Sequence, residues 1–306
     1  MKLTQIRAFL AICESGSIRR AARQLNVSQS NLTKIVRQLE NELSAQLLVR
    51  SARGVAPTNY GRALIPRARV IESEVLRAKS EIRQMQGVGK GVISIGLSAG
   101  PALMLASKAL TQFSRSFPDV RIHVVDGAYD PTLADLRDGR LDFSIVPIEL
   151  VPTGREVQTE LLMESVVVPI VRKGHTLQNA KSLKELAHAS WVLSGSATAP
   201  VNILEGTFIK HGVAAPRVQV RCESFPALLA LVTGTDLIGV LPKRFVDMGP
   251  FEAVLKAISV KEQFLPSRAV LLTRADVPMT PIAKALAKAF RQAAKSLGLS
   301  PGDSEL

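Results

Sequence analysis

The chain has 306 residues, enough for two or three domains with their own cores, and its composition of 46% hydrophobic and 21% charged residues is typical of a globular rather than a disordered protein. The net charge is +13, and residues 1–90 carry sixteen Lys and Arg against six Asp and Glu. A basic first third is expected of a segment that binds phosphates, although charge alone does not distinguish nucleic acid from an anionic membrane.

The two cysteines indicate neither a disulfide framework nor a metal site. Cys13 and Cys222 lie far apart in the sequence and form no CxxC pattern, so both are expected to be reduced core residues in a cytoplasmic protein. The N-terminus, MKLTQIRAFL, lacks the features of a signal peptide, and no stretch of about 18 apolar residues predicts a membrane span. We expect no metal and no cofactor.

Apolar residues at helical spacing predict three short helices within the first 43 residues. Gly16 is predicted to end the first helix, and Ser17 and Ser28 are predicted N-caps of the second and third. Asn26 and Val27 form a tight turn between the last two helices. This arrangement predicts a helix–turn–helix.

The polar face of the third predicted helix is rich in side chains that suit a DNA major groove. Gln pairs with adenine, Lys and Arg pair with guanine, and Ser or Thr reach a base or a phosphate. A solvated polar face is the alternative interpretation, and the basic first third favours DNA. The predicted DNA-binding residues of this helix and its cap are Ser28, Gln29, Ser30, Thr33, Lys34 and Arg37.

Residues 47–58 predict a β-hairpin with a basic turn, which would be a wing beside the helix–turn–helix. Arg50 and Arg53 are the candidates for phosphate or minor-groove contacts.

A long helix with a narrow apolar seam is predicted to follow the wing. Its seam residues recur at alternating spacings of four and three, and they are Leu64, Ala68, Ile71, Val75, Ala78, Ile82 and Met85. Such a heptad pattern favours pairing with a second copy, with packing against the same chain as the weaker alternative. The glycine-rich segment GVGKG at 87–91 predicts a hinge and a domain boundary.

The motif GSIRRAARQLNVSQSNLTKIVRQLENELSAQLLVRSARGVAPTNYG at 16–61 resembles that of LysR-type transcriptional regulators. The likeness lies in the small-residue helix, the SQ-led reading helix, the LE continuation and the L-x-R wing. Three positions depart from the family pattern: Ser30 where Pro is common, Asn31 where Ala is common, and Leu48 where Phe is common. Because Ser30 and Asn31 lie on the reading helix, the resemblance implies no particular base preference.

Strand and helix patterns alternate from residue 92 onward, and the first run, to residue 147, predicts an open parallel sheet. A second run starts near residue 165, and together they fit two α/β lobes joined by two crossovers. The expected organisation is α/β with an all-α-plus-wing N-terminal domain. Its parts are a winged helix–turn–helix at 1–58, a linker and dimerisation helix with its hinge at 59–90, and an effector domain at 91–306. Lobe I is expected at 91–162 and 269–300, and lobe II at 163–268.

The segments FPDVRIHVVDG, LRDGRLDFSIV and TGTDLIGVLP resemble landmarks of the LysR effector domain, a fold similar to periplasmic solute-binding proteins. The family resemblance implies binding to promoter DNA, response to a small effector, assembly into dimers and a homotetramer, and contact with RNA polymerase.

Ligands of open α/β sheets bind beyond the carboxyl ends of strands, near helix N-termini. Hydroxyls and free N–H groups at these ends suit a carboxylate or another small anion, such as an aromatic acid or a sulfonate. Helix capping alone is the alternative role of each Ser, and capping and ligand binding are compatible. The candidate effector-binding residues are Ser98, Ala99, Gly100, Pro101, Ala128, Pro147, Ser194, Ser196 and Phe225.

Two other classes of protein fit part of the pattern. Residues 96–100, GLSAG, match the GxSxG nucleophile elbow of α/β-hydrolases, but none of the four histidines lies in the last 95 residues, where that fold would place its catalytic His. A transport solute-binding protein is disfavoured by the basic first third and the N-terminus. We therefore expect a regulator and not an enzyme.

Overall fold

A computed structural model of the chain describes residues 1–51, 54–86, 90–127, 129–147, 156–194, 203–247 and 249–300. The fold separates into two compact units. Unit 1 comprises Met1–Val88 with Ala134–Leu141, and unit 2 comprises Gly89–Leu133 with Asp142–Leu306.

Unit 1 contains the predicted helix–turn–helix and its wing. The three helices are α1 (Leu3–Ser15), α2 (Ile18–Gln24) and α3 (Gln29–Glu42), and the antiparallel strands β1 (Leu48–Ser51) and β2 (Gly54–Pro57) form the wing. Gly16 ends α1 in the left-handed conformation, with φ of 63°. Ser17 and Ser28 each accept a hydrogen bond from a backbone N–H of the helix that follows. The local sequence signals therefore set the helix boundaries.

Two groups of buried side chains hold unit 1 together. One group joins α1 to the end of α3 and to the wing through Phe9, Leu39 and Leu47. The other packs α1 against α2 and α3 through Ile12 and Leu32. Because α3 contributes its apolar stripe to both groups, its opposite, polar face is left toward solvent.

The long helix α4 (Asn59–Met85) continues unit 1 and carries the predicted seam. Leu64 and Ala68 pack into the core of unit 1, whereas the later seam residues Ile71, Ile82 and Met85 are 37%, 58% and 78% exposed. The first seam residues therefore pack against their own chain, whereas the last seam residues are exposed to solvent in a single chain. Neither α4 nor any other helix among the described residues is long and apolar enough to cross a membrane.

Residues Ala134–Leu141, expected in the effector domain, group with unit 1. They include the end of α7 (Tyr129–Arg137), and donors on α4 satisfy carbonyl groups that follow this helix. Ser73 donates to the carbonyl of Gly139 at 2.5 Å, and Arg77 donates to that of Leu141 at 2.5 Å. Both carbonyls lie in the segment after α7, and periodicity in the sequence does not reveal where the donors to such carbonyls come from.

Lobe I of unit 2 is built on a five-stranded sheet in the order β4-β3-β5-β12-β6. Its strands are β3 (Gly91–Leu97), β4 (Val120–Asp126), β5 (Phe143–Pro147), β6 (Val157–Ser165) and β12 (Ser267–Arg274). Strand β3 pairs in parallel with β4 and β5, as predicted, whereas β12 runs antiparallel to β5 and β6. A short turn α5 (Ala99–Pro101), a π-helical turn (Ala102–Ala106), α6 (Ser107–Ser116) and α12 (Pro281–Ser296) complete the lobe.

Lobe II combines antiparallel and parallel strand pairs. Strands β7 (Val167–Arg172), β10 (Gly239–Pro242) and β11 (Leu255–Ala257) pair antiparallel, whereas β8 (Ser190–Ser194) and β9 (Arg217–Cys222) pair in parallel. Its helices are α8 (Leu183–Leu186), α9 (Ile203–Lys210), α10 (Phe225–Gly234) and α11 (Lys243–Val246), with a 3₁₀ turn at Gly249–Ala253. Strand β6 runs to Ser165, so the lobe I sheet extends past the expected boundary at residue 162.

Candidate functional site

A shallow groove runs along the exposed face of α3 and reaches the wing. All of its lining side chains are polar or basic, and they are Gln29, Ser30, Thr33, Lys34, Arg37, Gln38, Asn41 and Arg50. Five of the predicted residues of α3 and one of the two predicted wing arginines are therefore gathered on one surface. The sequence-based prediction omitted Gln38 and Asn41 because it covered only the first part of α3. Both continue the face of Lys34 and Arg37 at helical spacing.

The first turn of α3 presents two hydroxyl groups that share a hydrogen bond. Ser28 Oγ accepts from the backbone N–H of Asn31 at 3.1 Å, which caps the helix. Ser28 Oγ also lies 3.0 Å from Ser30 Oγ, and either hydroxyl can donate in this pair. Ser28 therefore has a structural role, and it also sets the state of the Ser30 hydroxyl at the edge of the groove.

The wing is joined to α3 by a carboxylate. Glu40 Oε1 accepts from the backbone N–H of Leu47 at 2.8 Å and from that of Leu48 at 3.2 Å. Arg50 follows two residues later, is exposed, and lines the groove. Arg53, the second predicted wing residue, lies outside the described residues.

A second connection fixes the wing to the start of α4. Thr58 donates its hydroxyl to the carbonyl of Gln46 at 2.6 Å and accepts from the N–H of Gly61 at 3.1 Å. A Cβ at Gly61 would lie 2.2 Å from the carbonyl oxygen of Leu47. Glycine is thus required for the close approach of α4 to the wing.

Helix α2 carries three exposed arginines that were not predicted as part of the site. Arg19, Arg20 and Arg23 share the outer side of this helix, away from its buried Ala21 and Ala22. The first helix of a helix–turn–helix crosses the DNA backbone, so this position suits phosphate contacts. The signal was present in the sequence as the run IRRAAR, in which the apolar residues mark the opposite side.

Cys13 lies half-buried beside the core of unit 1, and this burial raises the pKa of its thiol to about 11. The positive charge of Arg69 opposes the shift and the negative charge of Glu14 adds to it, and both effects are smaller than burial. A thiol with a raised pKa is a poor nucleophile near neutral pH, which fits the expected role of a core residue.

The candidate effector site begins where β3 ends. Ser98 is buried, and its hydroxyl donates to the carbonyl of Ile145 at 3.3 Å instead of capping the helix that follows. Ala99, Gly100 and Pro101 form the first turn of that helix, and a Cβ added at Gly100 would meet no atom within 4 Å. N–H groups in a first turn have no acceptor within their helix, so they can bind an anion.

The remaining candidate effector residues are less uniform. Pro147 is exposed at the end of β5, as expected. Phe225, predicted to be free for stacking on a ligand, packs edge-on against Phe245 with ring centroids 5.5 Å apart. Ser194 is the last residue of β8, and its side chain lies outside the described part of the chain. Ala128 and Ser196 lie entirely outside the described residues. Among the described residues, no group of three or more His, Cys, Asp or Glu could hold a metal ion.

Comparisons with known proteins match both units. A family model for the bacterial regulatory helix-turn-helix protein, lysR family, matches residues 3–62, and a model for the LysR substrate binding domain matches residues 86–295. The chain is similar to the HTH-type transcriptional regulator GbpR of Azospirillum brasilense, with 27% identity over 300 residues that cover 96% of this chain and 86% of the relative.

Two solved structures have a similar fold. One is the crystal structure of CbnR, a LysR family transcriptional regulator, with a TM-score of 0.72 and 19% identity, covering 96% of this chain and 99% of that chain. The other is full-length CbnR complexed with its target DNA, with a TM-score of 0.72 and 20% identity, covering 96% of this chain and all of that one (100%).

Proposed function

The chain belongs to the LysR family of transcriptional regulators, and on that premise we propose that the groove on α3 is its DNA-reading surface. The observation that supports this most is the gathering of eight polar or basic side chains, from α3 and the wing, along one exposed face. In this proposal the first half of α3 enters the major groove, where Gln29, Ser30, Thr33, Lys34 and Arg37 contact base edges.

Arg50 is proposed to contact phosphates beside that groove, and the wing turn with Arg53 is proposed to do the same. The chain's excess positive charge lies in residues 1–90, which supports a strong electrostatic contribution to binding. Arg19, Arg20 and Arg23 extend the basic surface along α2. Binding to promoter DNA would place the protein in the cytoplasm and bring it to RNA polymerase, a further proposed partner.

Self-association through α4 is the second part of the proposal. Ile82 and Met85 are exposed large apolar residues of the heptad seam, and their burial in a second copy would remove them from water. The resemblance of the chain to its family extends this to a homotetramer formed from two such dimers.

The effector is proposed to be a small anion, such as an aromatic acid or a sulfonate, bound at the first turn after β3. The support is the open space beside Gly100 and the backbone N–H groups of Ala99 and Gly100, since Pro101 has no N–H. Effector binding changes transcription only through a difference in affinity for two states of the regulator. We propose no hydrolase activity, because the Ser98 hydroxyl donates to a backbone carbonyl where a hydrolase needs a histidine.

Selection of full-length protein on a library of randomised DNA duplexes tests the DNA-reading proposal. We expect the wild type to enrich one defined sequence, and Arg37→Ala to relax base preference at one position of it. Arg50→Ala should weaken binding to all sequences and reduce the slope of log K against log salt by about one for each phosphate that is no longer bound. Failure of the wild type to enrich any sequence, or equal sequence-independent losses in both variants, would overturn this division of roles.

A further inference from the structure

Glu40 lies on α3, three residues beyond Arg37, and its side chain is half-exposed. Its Oε1 atom accepts from two consecutive backbone N–H groups, those of Leu47 at 2.8 Å and Leu48 at 3.2 Å. A single carboxylate oxygen on the reading helix therefore holds the first residues of the wing.

The two amides that Glu40 binds lie at the start of β1, so a change in the angle between this strand and α3 moves the rest of the wing. Leu48 is the first residue of β1 and pairs with Pro57, at the open end of the hairpin. Arg50 is two residues further along the same strand, about 7 Å away at the usual rise of a strand. Any rotation of Leu47 and Leu48 relative to α3 is carried along the strand to Arg50.

Among the described residues of the wing and its base, further hydrogen bonds run to α1 and α4. Thr58 and Gly61 connect the base of the hairpin to α4, and the N–H of Val55 donates to the carbonyl of Gly16 at 3.0 Å, at the end of α1. The two hydrogen bonds of Glu40 run directly from α3 to the strand that carries Arg50. Together with the packing of Leu47 and Leu48 in the apolar group that contains Leu39 of α3, these hydrogen bonds set the separation of Arg50 from the polar side chains of α3.

We propose that Glu40 is a positioning residue for DNA recognition, which holds Arg50 at the distance from α3 that lets both contact the same duplex. This inference rests on the proposed DNA-reading function of the groove. The positioning does not depend on the negative charge as such, because the requirement is an acceptor oxygen that reaches both amides.

Two substitutions separate reach from charge. Glu40→Gln keeps an acceptor oxygen at the same distance and removes the charge, whereas Glu40→Asp keeps the charge and shortens the side chain by one methylene. We expect Glu40→Gln to retain affinity within about threefold for the duplex selected by the wild type. Glu40→Asp and Glu40→Ala should weaken binding about tenfold and reduce the salt slope by about one, as expected when one phosphate is no longer bound.

A double-mutant cycle with Arg50→Ala then tests whether Glu40 acts through the wing. Arg50→Ala should weaken binding about tenfold in the wild type and less than about twofold in the Glu40→Asp background. Equal losses in both backgrounds, or a loss of affinity in Glu40→Gln as large as that in Glu40→Asp, would overturn the proposal.

Circular dichroism melting of each variant distinguishes positioning from folding. The DNA affinity of Glu40→Asp should be reduced at temperatures where its far-ultraviolet spectrum is the same as that of the wild type. A loss of DNA affinity that only follows the fraction of unfolded protein would refute a positioning role. If Glu40→Ala does not fold, the Gln and Asp pair still decides. If the wild type selects no duplex, the proposed DNA-reading function is wrong. If the wild type selects a duplex and the effects of the two substitutions are additive, only the proposed role of Glu40 is wrong.

Discussion

The Ser30 hydroxyl lies on the proposed DNA-reading face of α3, and its donor or acceptor state depends on the neighbouring Ser28 hydroxyl. When Ser28 donates across the 3.0 Å contact, the Ser30 hydroxyl hydrogen is free to donate to a base, and when Ser30 donates, its lone pairs can accept. Ser28 can take either part because its acceptance from Asn31 N–H uses a different lone pair. Serine at position 30 is therefore compatible with both donor and acceptor base edges.

Replacing this hydroxyl should change base preference at a single operator position. In Ser30→Ala the methyl group can contact only the C5-methyl of thymine favourably, so we expect thymine to gain about three- to tenfold there over its frequency with the wild type. The measurement is selection on randomised duplexes, with Ser80→Ala on α4 as a matched removal of a hydroxyl outside the groove. Identical preferences at every position for wild type and Ser30→Ala would contradict a reading role for Ser30.

At the scale of elements, local signals in the sequence predicted the helix–turn–helix, whereas they did not define the strand directions of lobe II. Gly16, Ser17 and Ser28 act on their own neighbouring N–H and C=O groups, so their positions in the sequence are enough to place helix ends. Strand direction in lobe II depends on which segments pair across the fold, and an apolar strand has the same sequence pattern in either direction.

The same distinction separates the predicted from the unpredicted residues of the site. The face of α3 follows from helical periodicity, which is a local property. The role of Glu40 could not be predicted, because the amides of Leu47 and Leu48 approach it only when the wing folds back on α3. Phe225 was expected to be available for stacking on a ligand, and its T-shaped contact with Phe245 is set by tertiary packing, which the sequence does not show.

Helix α4 permits a direct test of the apolar seam. Ile82 occupies the seam and is 58% exposed, while Leu76 is 51% exposed and lies one position past the seam residue Val75. In Ile82→Glu a carboxylate would be buried between paired helices, so we expect the dimer to dissociate at least about tenfold more readily. Leu76→Glu adds the same charge to the same helix outside the seam and should leave assembly unchanged.

Sedimentation equilibrium of both full-length variants measures this effect. Monomers in Ile82→Glu at concentrations where Leu76→Glu and the wild type remain associated would support pairing through the seam. Equal association of all three proteins would show that α4 is not the dimerisation surface, whatever the oligomeric state.

For the whole molecule, the two functions are carried by different kinds of surface. Most of the net positive charge lies in residues 1–90, which include the proposed reading groove. Unit 2 has a nearly balanced charge and two lobes with separate buried cores. An anion would therefore bind unit 2 through directed N–H groups and not through a general positive field. This makes its binding sensitive to one added charge at the right position.

Gly100 is the position at which we propose to add a charge beside the anion, because a Cβ there would meet no atom within 4 Å and the residue lies in the first turn after β3. Gly100→Asp should leave the melting temperature close to that of the wild type, since a carboxylate is favourable at a helix N-terminus, but it should repel a bound anion. Gly100→Asn has the same shape without the charge.

In thermal melts with benzoate, salicylate and benzenesulfonate, we expect at least one anion to raise the midpoint of the wild type and Gly100→Asn by several degrees and that of Gly100→Asp by much less. A midpoint raised equally in all three proteins would place the anion elsewhere, and no increase in the wild type with any of them would refute a small aromatic acid or sulfonate as the effector.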